Sequence, residues 1–464
     1  MRSAESGILK TVVLCATLSL FASAELGAED YACTTNNGTI TILRYTGSGG
    51  IVAIPGSING LPVACIGEEA FIHRDDLAEV TIPSSVTNIG AFAFYGCVNL
   101  SSASIPGSVI GIGDQAFQWC LNLGSIDIPA SVASIGDGAF RACGSLQTIS
   151  VDSQNTSYSS WNGILFDHSQ STLIAYPGGR DGDVIIPDGV AVIGYAAFIS
   201  CSFLTGVTFP GSVTSIEDNA FTACGSLTSI NIPLGVTNIG RFAFASCPSL
   251  AEVTIPRSVS NLLEGAFYHC PSLASVIIPG SVAFIGREAF SSCSSLTNVV
   301  VFNGVRAFAA KAFYECTSLA SVIVPESVSN IGEECFFYCT NLVAAYFEGN
   351  APGLGLYAFD FDPNAIVYYL PGTTGWGETY GLRPTALWKP KIQTDDDGFG
   401  VRTNEFGFNI SWASGRTVVI EASTDSAGAA WLPVGTNTLV AGSAYFSDPQ
   451  WSLYSRRFYR LRSP

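Results

Sequence analysis

The chain has 464 residues, a formal net charge of −17 and only 12% charged residues, with 48 glycines. That length builds a sizeable core and predicts two or three units, and an acidic chain with no visible Lys/Arg cluster is excluded as a nucleic-acid phosphate binder. Mean hydropathy is +0.36, yet no apolar run of about 18 residues follows the N-terminal stretch, which excludes a transmembrane helix after it.

Arg2 and Lys10 flank and lead into an apolar run from Thr11 to Ala22, and Ala22-Ser23-Ala24 offers a small-residue cleavage site. Residues 1–24 are therefore expected to be a secretory signal peptide, with the mature chain starting near Glu25. A short membrane anchor is the alternative. Residues 25–62 carry Gly38-Thr39-Ile40-Thr41-Ile42-Leu43 and then Gly47 to Gly50. They predict an N-terminal β cap, because the terminal unit of a stack must seal the core.

From residue 63 to 390 the chain is periodic. The Phe of an Ala-Phe pair falls at Phe71, Phe94, Phe117 and Phe140, then from Phe198 to Phe359, each uninterrupted step being 23 residues. An Ile-Pro pair keeps the same step, and an invariant valine sits three residues past it, from Val86 to Val328. Within one unit, Leu227 to Ile232 reads as a short strand. Pro233 ends it. Val236 and Ile239 point inward from a second extended piece, Gly240 allows a turn, and Ala243-Phe244 to Cys247 reads as a short helical turn. About six buried side chains per coil contribute roughly 10–15 kcal/mol at about 1.5–3 each. Ordering the coil costs more, at about 1–2 kcal/mol per residue. One coil cannot stand alone, so the coils must stack into a β-rich solenoid.

The pattern Leu-x-x-Ile-x-Ile-Pro-x-x-Val-x-x-Ile-Gly-x-x-Ala-Phe-x-x-Cys-x-x-Leu resembles the BspA-type leucine-rich repeat. The resemblance covers roughly two thirds of the chain. It implies a leucine-rich repeat solenoid in a secreted or cell-surface bacterial protein, some family members being adhesins, and it does not by itself assign a function.

Between Pro129 and Pro187 the step is 58. The excess at 152–186 predicts a β-hairpin protruding from the solenoid, either a binding elaboration or a family spacer. Residues 391–400, with Asp395, Asp396 and Asp397, read as a linker. Residues 401–464 lose the period and predict a small C-terminal all-β domain.

Catalytic and metal chemistry is not visible. Ten cysteines from Cys97 to Cys339 share one slot of the coil. Side by side at about 4.8 Å they suit buried thiols rather than bridges, and no Cys-x-x-Cys pair suggests zinc. Cys33 and Cys65 are a possible disulfide. Gly111-Ile112-Gly113 fits a dinucleotide fingerprint only superficially, since no βαβ unit surrounds it. His73, His168 and His269 stand in unrelated contexts. No catalytic residue, cofactor or metal ligand is assigned, and an enzyme reading has no residues to carry it. Asn37 and Asn409 fit a glycosylation pattern of little meaning in a bacterial chain.

One feature rises above the repeat. The outward residue of each first strand is polar at Thr81, Ser104, Asp127, Ser150, Thr208, Asn231 and Thr254, then apolar at Ile277, Val300, Ile323, Tyr346 and Tyr369. Such a stripe marks a docking surface, or a face covered by the C-terminal domain. The expected function is non-catalytic binding or adhesion through this face and the 152–186 hairpin, with a protein or glycan ligand. The alternative is a structural spacer or surface-layer protein.

Overall fold

The computed structural model describes residues 28–425 and 431–463, so the expected signal peptide at 1–24 lies outside the described residues. In a representative coil, Ser229–Asn231 forms the first strand and Asn238–Ile239 the second. Between them Pro233 closes a turn, its carbonyl accepting the Val236 N–H at 3.0 Å. Both strands pair in parallel with the coils beside them: Ile230 aligns with Val253, and Ile216 with Ile239. Alternation buries Ile230 and Ile232 and turns Asn231 to solvent.

Gly240 owes its place to close approach rather than to a strained turn. A Cβ there would lie 2.4 Å from the Asp218 nitrogen of the preceding coil.

The Ala-Phe segment is not the expected helical turn. Among the described residues the only helical pieces are two three-residue 3-10 turns, Ala28–Asp30 and Trp451–Leu453. In an α-helix every N–H points along the helix's own axis. Here they alternate. Ala243 and Ala245 donate within the coil, to the Gly240 and Phe242 carbonyls at 3.4 and 3.1 Å. Phe242, Phe244 and Ser246 donate along the rod instead, to Glu264, Ala266 and Tyr268 of the next coil at 2.9, 2.9 and 2.7 Å. That alternation needs left-handed backbone at Phe242 (φ 53°) and Ser246 (φ 55°). The same two slots are left-handed in every coil with an Ala-Phe pair, from Glu69 and His73 to Tyr357 and Phe361. Each non-glycine there costs about 1–2 kcal/mol, which the axial hydrogen bond offsets. No Val, Ile or Thr occupies either slot, as β-branching at positive φ is the most strained choice.

The repeat phenylalanines form two stacks, Phe71 to Phe140 and Phe198 to Phe359. From Phe198 to Phe359 successive rings are 4.7–5.5 Å apart and within 13° of parallel. Beside them each slot cysteine is buried, and all but Cys201 donate the thiol to the preceding coil's Phe carbonyl, as Cys247 does to Phe221 at 3.1 Å; Cys201 faces the Tyr176 carbonyl at 4.0 Å. Cys33 and Cys65 form no disulfide. The strand Thr39–Tyr45 lies between theirs, Cys33 aligning with Ile42 and Cys65 with Thr41. Two strand spacings are about 10 Å, far beyond a bridge.

The insertion does not protrude. Tyr158–Trp161, Ile164–Asp167 and Thr172–Ala175 form an antiparallel meander that continues in parallel into Val192–Ile193. It is part of the wall. Leu165 faces one core, covering residues 31–165, while Ile164, Phe166 and Tyr176 face a second that runs to Val367. Tyr176 stacks on Phe198 at 4.8 Å, standing in for the missing Phe. Asn155, also buried, replaces the absent coil: its amide donates to the Pro129 and Val132 carbonyls at 2.8 and 2.9 Å.

The C-terminal module is strand-rich, as expected, but it starts earlier. Lys391–Gln393, read as linker, pairs antiparallel with residues 409–411. A four-stranded and a three-stranded sheet enclose Phe408, Ile410, Val418, Ile420 and Phe446, and Leu370 of the last coil joins that cluster.

At the same end Asp362 is fully buried and its carboxylate oxygens make no hydrogen bond among the described residues. Arg383 bonds its peptide carbonyl at 3.1 Å instead. Burial pushes the Asp362 carboxyl up to about 8, against the pull of the Arg383 charge, while Asp360 adds to the rise. The folded state therefore holds a proton that the unfolded chain releases near pH 4. Asp362's contribution is complete below about pH 4 and is lost as pH rises through about 8.

Two outcomes test these points. Ala223, at φ 60°, should tolerate Gly with a gain of about 0.5–1 kcal/mol and lose about 1–3 kcal/mol as Val, measured by chemical denaturation. The melting temperature of Asp362→Asn relative to the native chain should climb between pH 5 and 8 and level off above.

Candidate functional site

The expected stripe is built by the register of the first strands. Ile277 aligns with Val300, and Ile323 with Tyr346. Alternation sends all four outward, because their neighbours Val276, Ile278, Val322 and Val324 are buried. Ile277, Val300 and Ile323 are 56%, 37% and 44% exposed, while Tyr346 is half-buried.

Tyr369 does not belong to this column. The final coil is one residue shorter at this point, so Tyr368 aligns with Tyr346, and Tyr369 aligns with buried Phe347. Tyr369 stacks instead on Trp376 at 5.2 Å, helping to seal the rod end. A further outward apolar residue, Ile185, aligns with Thr208. It interrupts the polar half of the column and went unread because it falls within 152–186, the span read as the insertion.

The C-terminal module does not lie over Ile277, Val300 or Ile323. It packs on the end of the rod. The Trp388 ring is 4.7 Å from Tyr346, and Tyr346 is 5.0 Å from Tyr368 with planes 20° apart. Trp412 of the module donates its indole N–H to the Trp388 carbonyl at 3.0 Å. Between the two parts runs a cleft of about 510 Å³, walled by Tyr346, Tyr368, Leu387 and Trp388 on one side and Gln393, Ser411 and Trp412 on the other, with Lys389 and Lys391 exposed at its rim. The stripe thus runs into an aromatic cleft.

A second aromatic cluster lies on the turn edge of the last coils. Tyr314 stacks on Phe337 at 5.4 Å and Tyr338 on Phe361 at 4.5 Å. Lys311 sits 5.2 Å over Tyr314 and pairs with Glu334 at 3.2 Å. The signal was present in the two residues after each repeat Phe, which turn aromatic only near the C-terminus.

His73 packs edge-on against Tyr95 and His269 lies beside Tyr268, several coils apart. Among the described residues no group of three or more His, Cys, Asp or Glu is placed to hold a metal ion, and no helix is long and apolar enough to cross a membrane. Burial pushes the Cys97 and Cys143 thiols up to about 12, and Cys120, Cys293 and Cys316 well above their ordinary value. A buried thiol held neutral is a poor nucleophile. Alkylation at pH 8 should therefore leave the eleven buried cysteines unmodified in the native chain and modify them after unfolding, read by mass spectrometry.

The sequence pattern of the BspA type leucine rich repeat region matches six copies, at residues 62–171, 182–297 and 261–372. No curated protein matches the chain. Among solved structures, a leucine-rich repeat protein from Eubacterium ventriosum is 24% identical, with a TM-score of 0.49, over 66% of this chain and 91% of that one. One from Bacteroides ovatus is 25% identical over 75% and 95%, with a TM-score of 0.40. A leucine rich cell surface protein from Faecalibacterium prausnitzii is 25% identical over 72% and 97%, with a TM-score of 0.37.

Proposed function

Because this chain belongs to the BspA type leucine-rich repeat family, we infer that it is a secreted or cell-surface bacterial protein that binds a partner without catalysing a reaction. Export rests on the charged and apolar leader at 1–24 with its Ala22-Ser23-Ala24 site. The division that goes with it is a leader at 1–24, a cap at 25–62, a solenoid from 63 to about 390 and a terminal β module.

The observation that carries the binding reading is the exposed column Ile277, Val300 and Ile323. Single exposed apolar residues are ordinary, but a run of them at the same position of successive coils marks a place where something docks. The column also leads into a cleft rather than ending on a bare rod. The polar outward residues of the first coils favour a second reading, a structural spacer without a specific ligand.

The two readings differ in one measurement. The double variant Ile277→Ser/Ile323→Ser keeps the buried faces of both strands, so its melting temperature should stay within a few degrees of the native value. Capture of the purified chain on immobilised glycans and extracellular-matrix proteins should fall about tenfold or more, as the loss of two buried apolar contacts requires. Undiminished capture would leave the spacer reading standing.

A further inference from the structure

We propose that the cleft between the last coil and the C-terminal module binds an acidic saccharide, one whose pyranose ring carries a carboxylate, such as a hexuronic acid. This names the ligand class at the end of the binding face inferred above, and it rests on that reading.

The cleft has the size of a small-ligand site, about 510 Å³, against roughly 300–1,000 Å³ for such sites. Its walls carry two chemistries. The first is aromatic. Tyr346 and Tyr368 stack with planes 20° apart, and the Trp388 ring leans over Tyr346 at 40°. The faces of these rings are the negative ends of their quadrupoles. They attract the positively polarised C–H groups on the flat side of a sugar ring, and they repel a carboxylate.

The second chemistry is cationic. The sequence has four lysines, Lys10, Lys311, Lys389 and Lys391, in a chain of net charge −17. Lys311 is engaged by Glu334. Lys389 and Lys391 line the cleft, and neither makes an ion pair among the described residues. The cleft thus sets two lysines without an ion-pair partner among the described residues beside an aromatic wall. Gln393 and Ser411, which hydrogen-bond each other across the adjacent strands, add polar groups that match sugar hydroxyls.

An occupant must answer both chemistries together. A neutral sugar covers the rings and leaves the two ammonium groups without an anion. An acidic peptide supplies the anion, but its carboxylates are repelled by the ring faces and it presents no flat C–H surface. A uronic acid packs its ring against the aromatic wall of the cleft while its carboxylate, projecting from the ring edge, reaches the lysines in a charge-assisted contact.

The test uses the full chain, with titration calorimetry and the intrinsic fluorescence of Trp388 and Trp412 as readouts. The probes are trigalacturonate, a glucuronate-containing hyaluronan tetrasaccharide, the methyl ester of trigalacturonate, and triglutamate. At least one of the two acidic saccharides should bind and change the fluorescence. The methyl ester and triglutamate should each bind about tenfold more weakly or worse. Lys389→Gln/Lys391→Gln should erase the preference for acid over ester. Trp388→Ala should abolish binding, and its melting curve separates lost contact from lost fold. If the tryptophan variant does not fold, the lysine variant decides alone.

Failure of both acidic saccharides to bind, equal binding of acid and ester, or an unchanged preference in the lysine variant overturns the proposal. A chain that binds matrix through Ile277 and Ile323 but takes neither acidic saccharide also overturns it, and leaves the broader binding reading intact.

Discussion

Every coil has peptide N–H groups that point along the rod, and each must find a carbonyl in the next coil. That requirement shapes the rest of the molecule. It fixes the repeat length, because the donor at Phe244 meets the acceptor at Ala266 only if each coil returns in step. It imposes left-handed backbone at two slots per coil, at a cost repaid along the axis. It also brings the Phe rings to about 5 Å spacing, so the backbone ladder and the aromatic column support each other. A coil without neighbours loses both, which is why the first ring, Phe71, is covered by Tyr45 at 5.0 Å with Tyr31 beyond it, Phe198 by Tyr176, and the last, Phe359, by Tyr380 at 6.4 Å with Trp376 beside it.

The insertion follows the same logic. Its meander presents Leu165 to one core and Phe166 to the other, so the rod has two separate hydrophobic interiors joined by one continuous wall. Asn155 and Tyr176 supply what the missing coil would have supplied, a donor for the Val132 carbonyl and a ring under Phe198. The rod end is closed by Trp376 and by the C-terminal module, and docking the module brings Tyr346, Tyr368 and Trp388 of the solenoid together with Trp412 beside two lysines.

What could be read from the chain was whatever repeats. The period, the inward residues, the parallel cysteines and the outward column through Tyr346 all follow from a 23-residue step. What could not be read was geometry without a residue signature. Phe242 and Ser246 give no hint of left-handed backbone, since neither is glycine, and Ala-Phe-x-x-Cys looks helical when taken alone. The insertion was mistaken for a protrusion although Ala175-Tyr176 repeats the Ala-Phe pair 22 residues before Phe198. Tyr369 was placed outward because the last coil is shortened by one residue, and a slip of one reverses every side chain in a strand. The cleft depends on Tyr346, Trp388 and Trp412 meeting across two units, and no local pattern announces that.

The central claim is that coils hold one another and that no coil is stable by itself. Hydrogen exchange on a Phe267→Ala variant, which removes one ring from the column at a cost of about 3–5 kcal/mol, tests it most directly. The account predicts that protection falls at Phe244 and Phe290 on either side as well as at residue 267, and that the first core, residues 31–165, keeps its native protection. A loss confined to the mutated coil, or one spread evenly through both cores, would contradict it.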